Sequence, residues 1–139
     1  MAGKWLFKSD PDHYGYNDLV RDRRTVWDGV SNNLALKNLR AARTGDLVLI
    51  YHTGKEKCLV GTAEVTGDPY ADPKLKNPKL AVVDLEARHA LAREVTLEEI
   101  KKQAGLADFA LVRLPRLSVM PVTEPQWALL MKLAGEQKS

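Results

Sequence analysis

The sequence predicts an α+β fold: a mixed β-barrel of about five to six short strands with helices set around it. Three observations carry this. Short apolar or alternating runs recur along the chain, and two Thr-x-x-Glu/Gln boxes mark helix starts in its second half. Helical segments sit after the first strand, before the last strands and at the C-terminus, without the regular β-α alternation of a Rossmann-like sheet.

Lys4 to Lys8 reads as the first strand, with Trp5 and Phe7 on one face. Ser9-Asp10-Pro11-Asp12 has the composition of a turn and N-cap, and Tyr16 to Val20 makes one or two helical turns. From Asn32 to Ala42, Leu34, Ala35, Leu39 and Ala42 recur at helical spacing, while Lys37, Arg40 and Arg43 step along an exposed side. Leu47 to Tyr51 is a continuous apolar run, read as a strand buried on both faces. It pairs as a hairpin with Leu59 to Thr66 through Gly54-Lys55-Glu56-Lys57, and the Gly61 and Ala63 positions predict close packing. Gly67 to Pro78, with three prolines and Lys74 and Lys76, reads as an exposed loop running up to Lys79.

The sheet resumes at Ala81 to Ala87. Thr96-Leu97-Glu98-Glu99 opens a helix that stops at Gly105, and Thr123-Glu124-Pro125-Gln126 opens another that carries Trp127, Leu130, Met131 and Ala134 inward and ends near Gly135. Between these helices, Phe109 to Arg113 and Leu117 to Met120 read as strands. Trp5 and Trp127 are assigned to the core.

With 139 residues the whole chain, 1–139, is read as one domain. Hydrophobic residues at 45% and charged residues at 28% exclude a disordered chain. A net charge of +3 is compatible with a phosphate-bearing partner and does not identify one. The single Cys58 excludes an internal disulfide and fits the cytoplasm, where it is a spare thiol. The first ten residues have no apolar leader and no long apolar span occurs, so neither export nor membrane insertion is expected.

No nucleophile elbow, P-loop, dinucleotide fingerprint or HExxH motif is present, and no cofactor is expected. His13, His52 and His89 lack ligand spacing, so no metal is expected. Asp10, Asp12 and Asp28 lie near turns, where carboxylates more often cap backbone N–H groups than act as acid or base.

Four blocks carry a resemblance. Trp5-Leu6-Phe7-Lys8-Ser9-Asp10-Pro11-Asp12, Val26-Trp27-Asp28-Gly29-Val30, Gly45 to His52 followed by Val60 to Val65, and Arg116 to Val122 together resemble the EVE domain family. They fall in the family's order and span about Lys4 to Leu133. EVE domains are similar to YTH and PUA domains, and eukaryotic relatives of the thymocyte nuclear protein kind are associated with modified cytosine in DNA. The resemblance implies a PUA-like barrel that holds a modified base, such as methylated or hydroxymethylated cytosine, in a pocket, and no catalytic residue.

By that resemblance Trp27 is the aromatic wall on which a base stacks, a contact worth about 1–3 kcal/mol. Lys8, Ser9 and Asp10, with Asp28 and Asn32 beside Trp27, supply hydrogen bonds to the base edge; Tyr51 and His52 close the opposite side; Leu117, Ser118 and Val119 line the floor. In one respect this chain departs from the pattern. Family members commonly read Trp-Asp-Gly-Val-Arg-Asn-Tyr-Gln-Ala-Arg, whereas here Val30 is followed by Ser31-Asn32-Asn33-Leu34-Ala35-Leu36. Either the ligand differs from that of the relatives, or phosphate contacts fall to Arg21, Arg23, Arg24, Lys37 and Arg40.

The expected partner is DNA or RNA, with no membrane. Two other classes stay open: an enzyme acting on a nucleotide or nucleoside with Asp28 or Asp10 as base, and a domain that holds a small metabolite or docks an acidic protein on the basic helix.

Overall fold

The computed structural model describes residues 3–74 and 80–136. Two lysines of the expected exposed loop, Lys76 and Lys79, lie outside the described residues. Strands β1 (Lys4–Ser9), β3 (Leu47–His52) and β4 (Cys58–Val65) form the centre of a mixed sheet. β1 runs parallel to β3, and β3 pairs antiparallel with β4 through the expected hairpin. The long β6 (Ala81–Thr96) follows β4, β2 (Arg24–Trp27) follows β6, and β7 (Val119–Pro121) closes the other edge on β1. β5 (Tyr70–Ala71) hangs on β6.

Curling of the sheet is visible in one contact. β2 and β1 are four inter-strand steps apart along the path, which on a flat sheet is about 19 Å at ~4.8 Å per step. Yet the rings of Phe7 and Trp27 lie 5.7 Å apart, centroid to centroid. The sheet therefore bends round until the two strands face each other across the interior.

Helices follow the local signals closely. Asn32 caps α3 (Asn33–Ala41) by accepting the Ala35 N–H at 3.0 Å, and Ala35, Leu36 and Leu39 form its buried face. Both capping boxes form, at Thr96 for α4 (Leu97–Lys101) and at Thr123 for α6 (Glu124–Leu133). The short α1 (Pro11–Tyr14) and α2 (Tyr16–Asp22) fill the span after β1. Trp5 is buried, and Trp127 is half-buried against the core under the Lys4 ammonium.

Close packing at Gly61 has a specific cause. A Cβ there would lie 2.2 Å from Cζ of Tyr16, whose ring lies flat over the strand and whose hydroxyl donates to the Thr62 carbonyl at 2.7 Å. Any side chain at position 61 would displace that ring.

Three expectations are corrected. Phe109 to Arg113 is not a strand: Ala110–Arg113 is a helical turn, α5, in which the Leu114 N–H reaches the Ala110 carbonyl at 2.7 Å. Burial of Phe109 and Leu111 satisfies strand alternation equally well, but with Pro115 following, the local turn satisfies the backbone where no neighbouring strand is available. The last strand begins at Val119 rather than Leu117, because the Leu117 N–H closes a turn onto the Leu114 carbonyl. The strand from Ala81 continues past Ala87 to Thr96, through two irregularities in its pairing with β4.

Candidate nucleic-acid interface

The pleat of β1 sorts the expected base-pocket residues into two groups. Lys8 pairs with Tyr51 and Ser9 with His52, so neighbours along the strand face opposite sides. Phe7, Ser9 and Trp27 share the interior side with His52 and with Val119, the cross-strand partner of Phe7. Lys8 and Tyr51 lie behind. There the Lys8 ammonium sits 5.9 Å from the Tyr51 ring centre and donates to the Pro115 carbonyl at 2.6 Å. Burial pulls the Lys8 ammonium below the usual lysine range and pushes the Tyr51 hydroxyl up to about 12. Through the Pro115 carbonyl, Lys8 braces the 113–117 segment from the back of the sheet.

Several interior residues are fully occupied. The Ser9 hydroxyl donates to the Tyr14 carbonyl, and the Ser9 carbonyl accepts the Thr53 N–H at 2.9 Å. His52 Nε2 accepts the Tyr16 N–H at 2.9 Å, which leaves the ring proton on Nδ1, donating to Glu56 at 2.8 Å. Asp10 caps α1, taking the Asp12 N–H at 2.9 Å and His13 Nδ1 at 2.9 Å. Those contacts hold its carboxyl below the usual range, which makes it a poor general base. Val119 is shut in the core.

Trp27 is buried, with 9% of its surface exposed. Its indole N–H has no hydrogen-bond partner, while no side-chain polar atom shut away from solvent lacks one among the described residues. The N–H edge therefore meets solvent. After Trp27, Asp28 is exposed, Gly29 turns the chain with φ +77°, and Val30 returns to the core before Asn32 starts α3.

Asn32 also lines a groove of about 350 Å³. Leu34 on α3 forms one lip; Arg113, Leu114, Arg116 and Leu117 form the other. Leu34 and Leu114 are each 45% exposed. Arg113 and Arg116 are exposed and make no ion pair among the described residues, and no carboxylate lines the groove. Lys37, one turn along α3 from Leu34, is exposed on the same side.

The expected phosphate-binding residues divide. Arg21 is paired with Asp18 and Asp22, and Arg24 with Glu86. Arg23 ends α2 in left-handed backbone, φ +65°, with an exposed side chain. Arg40 lines a second groove, at the other end of α3. Arg113 and Arg116, which line the groove with Asn32, were not among the expected residues. They flank Leu114 and Pro115 in a short turn, and the signal for them was the compact Arg-Leu-Pro-Arg run.

Comparisons agree with this architecture. The EVE domain family matches residues 3–133. Over its whole length the chain is 28% identical to thymocyte nuclear protein 1 of Rattus norvegicus, covering 76% of that protein. Rpa0253 from Rhodopseudomonas palustris superposes with a TM-score of 0.94 at 36% identity, over 99% of this chain and 97% of that one. Human THYN1 protein, solved in complex with DNA containing 5-methylcytosine, superposes with a TM-score of 0.89 at 26% identity, over 99% and 100%. The fold is thus the PUA-like mixed barrel that the motif blocks implied.

Proposed function

This chain belongs to the EVE domain family, and on that premise we propose that it is a DNA-binding module which takes a modified cytosine into the groove between Asn32 and the 113–117 segment and toward the N–H edge of Trp27. The observation that carries the reading is the groove beside Asn32, where, among the described residues, Arg113 and Arg116 have no ion-pair partner and no carboxylate lines the walls. The relative solved with 5-methylcytosine DNA supports the choice of ligand.

Each part of such a ligand has a chemical counterpart. Phosphates accept bidentate hydrogen bonds from guanidinium groups. Cytosine presents O2 and N3 as acceptors, and the Trp27 N–H edge is a donor without a partner. With only 9% of Trp27 exposed, its proposed contact with the base is through this edge rather than by stacking. Binding rather than turnover is the proposed activity, since Asp10 and His52 are held in structural hydrogen bonds.

Fluorescence anisotropy with cytosine and 5-methylcytosine oligonucleotides tests this. Affinity should fall with salt, with a log–log slope of about 0.9 per phosphate contact on duplex. Trp27→Phe, which keeps most of the packing and removes the N–H, should reduce the preference for the modified base. Equal, salt-independent binding to both oligonucleotides would remove the proposal.

A further inference from the structure

We infer that the groove is built for duplex DNA from which a base has been drawn out, with Leu114 as the side chain that enters the stack in its place; this rests on the proposed DNA-binding function. Leu114 projects from a turn between Arg113 and Arg116, and it is 45% exposed although its neighbour Leu117 is buried. Leu34 faces it from α3 with the same exposure. An apolar side chain flanked by two unpaired arginines matches a duplex step, where phosphates lie on either side of the stacked bases.

Proteins that draw a base from a duplex commonly insert Leu, Ile, Met or Phe between base steps, which offsets the unstacking. Binders of single strands instead offer exposed aromatic platforms. No aromatic residue is among the described residues that line this groove; its exposed apolar groups are the two leucines and Pro115. Lys8 holds the turn from behind through the Pro115 carbonyl, so the projecting residue stands on a braced segment. A wedge needs such a support, because a mobile loop would yield before the base stack opened.

The test uses a duplex carrying 5-methylcytosine beside 2-aminopurine, whose fluorescence rises when its stacking is lost, and the matching single strand. Wild type should bind the duplex and raise the fluorescence. Leu114→Ala, at an exposed position where thermal denaturation should show an unchanged midpoint, should weaken duplex binding about tenfold and abolish the rise. The single strand, which has no stack to enter, should lose clearly less affinity than the duplex. Equal losses on both substrates, or a fluorescence rise that survives in Leu114→Ala, would overturn the wedge while leaving DNA binding intact. Failure of wild type to bind either substrate would instead overturn the DNA-binding proposal, and the wedge with it.

Discussion

Helix α3 has a groove at each end. At its N-terminal end, about 350 Å³ is bounded by Asn32, Leu34 and the turn carrying Arg113 and Arg116, whose charges are uncommitted. At its C-terminal end, about 420 Å³ is bounded by Arg40, Arg43, Asp68 and Tyr70, whose polar groups are largely spent on the fold. Arg43 donates to the Arg40 and Ala42 carbonyls at 2.7 Å, Asp68 accepts the Thr44 N–H and hydroxyl at 3.0 Å, and Tyr70 donates to Asp84 at 2.7 Å. Just beneath, the buried Asp46 takes the Gly3 N–H, the Arg43 N–H and the Trp5 indole N–H. Cavity size does not separate the two sites; what separates them is whether the charged groups already have partners.

This contrast predicts opposite consequences for mutation at the two ends. Reversing both arginines, with Arg113→Glu and Arg116→Glu, should lower DNA affinity about a hundredfold at moderate salt and leave the melting temperature unchanged. Asp46→Ala should do the reverse. It removes a carboxylate from three donors in a buried site, so urea denaturation should report a loss of about 3 kcal/mol with DNA affinity unaltered for the fraction that folds. Asp68→Ala removes hydrogen bonds to Thr44 at an exposed site and should destabilise far less than Asp46→Ala, again without effect on binding.

The smallest effect concerns pH. The hydrogen bond to Asp84 is the first cause that pushes the Tyr70 hydroxyl up to about 12, followed by burial and the charges of Asp84 and Asp72. A folded-state value raised above the unfolded one gives a contribution fully present below about pH 10 and lost as pH rises toward 12. NMR titration of the Tyr70 ring should show Asp84→Ala, which removes the acceptor, moving the midpoint back toward 10.0. A midpoint that stays near 12 would show that the hydrogen bond is not the cause.

Legibility in the sequence followed the range of the interactions. The capped helices α3, α4 and α6 and the β3–β4 hairpin were readable because their signals, capping side chains and alternation, lie within a few residues of each other. The turn at Ala110–Arg113 was misread because four apolar residues in a row carry no period of their own. In the candidate site, the motif Lys8-Ser9-Asp10 is contiguous in sequence, but the pleat sends Lys8 to the back of the sheet and Ser9 inward. Arg113 and Arg116 escaped notice because their relevance depends on where the turn docks beside α3, a tertiary fact.

The central claim is that DNA meets the N-terminal end of α3 and the edge of Trp27, not the C-terminal end. Titrating isotope-labelled protein with 5-methylcytosine duplex and following amide and indole N–H resonances tests it most directly. The account predicts that the Trp27 indole N–H and the amides of Asn32, Leu34, Arg113, Leu114 and Arg116 shift, while those of Arg43, Thr44, Asp68 and Tyr70 stay in place. Shifts confined to the second group, with the Trp27 indole unmoved at saturation, would contradict it.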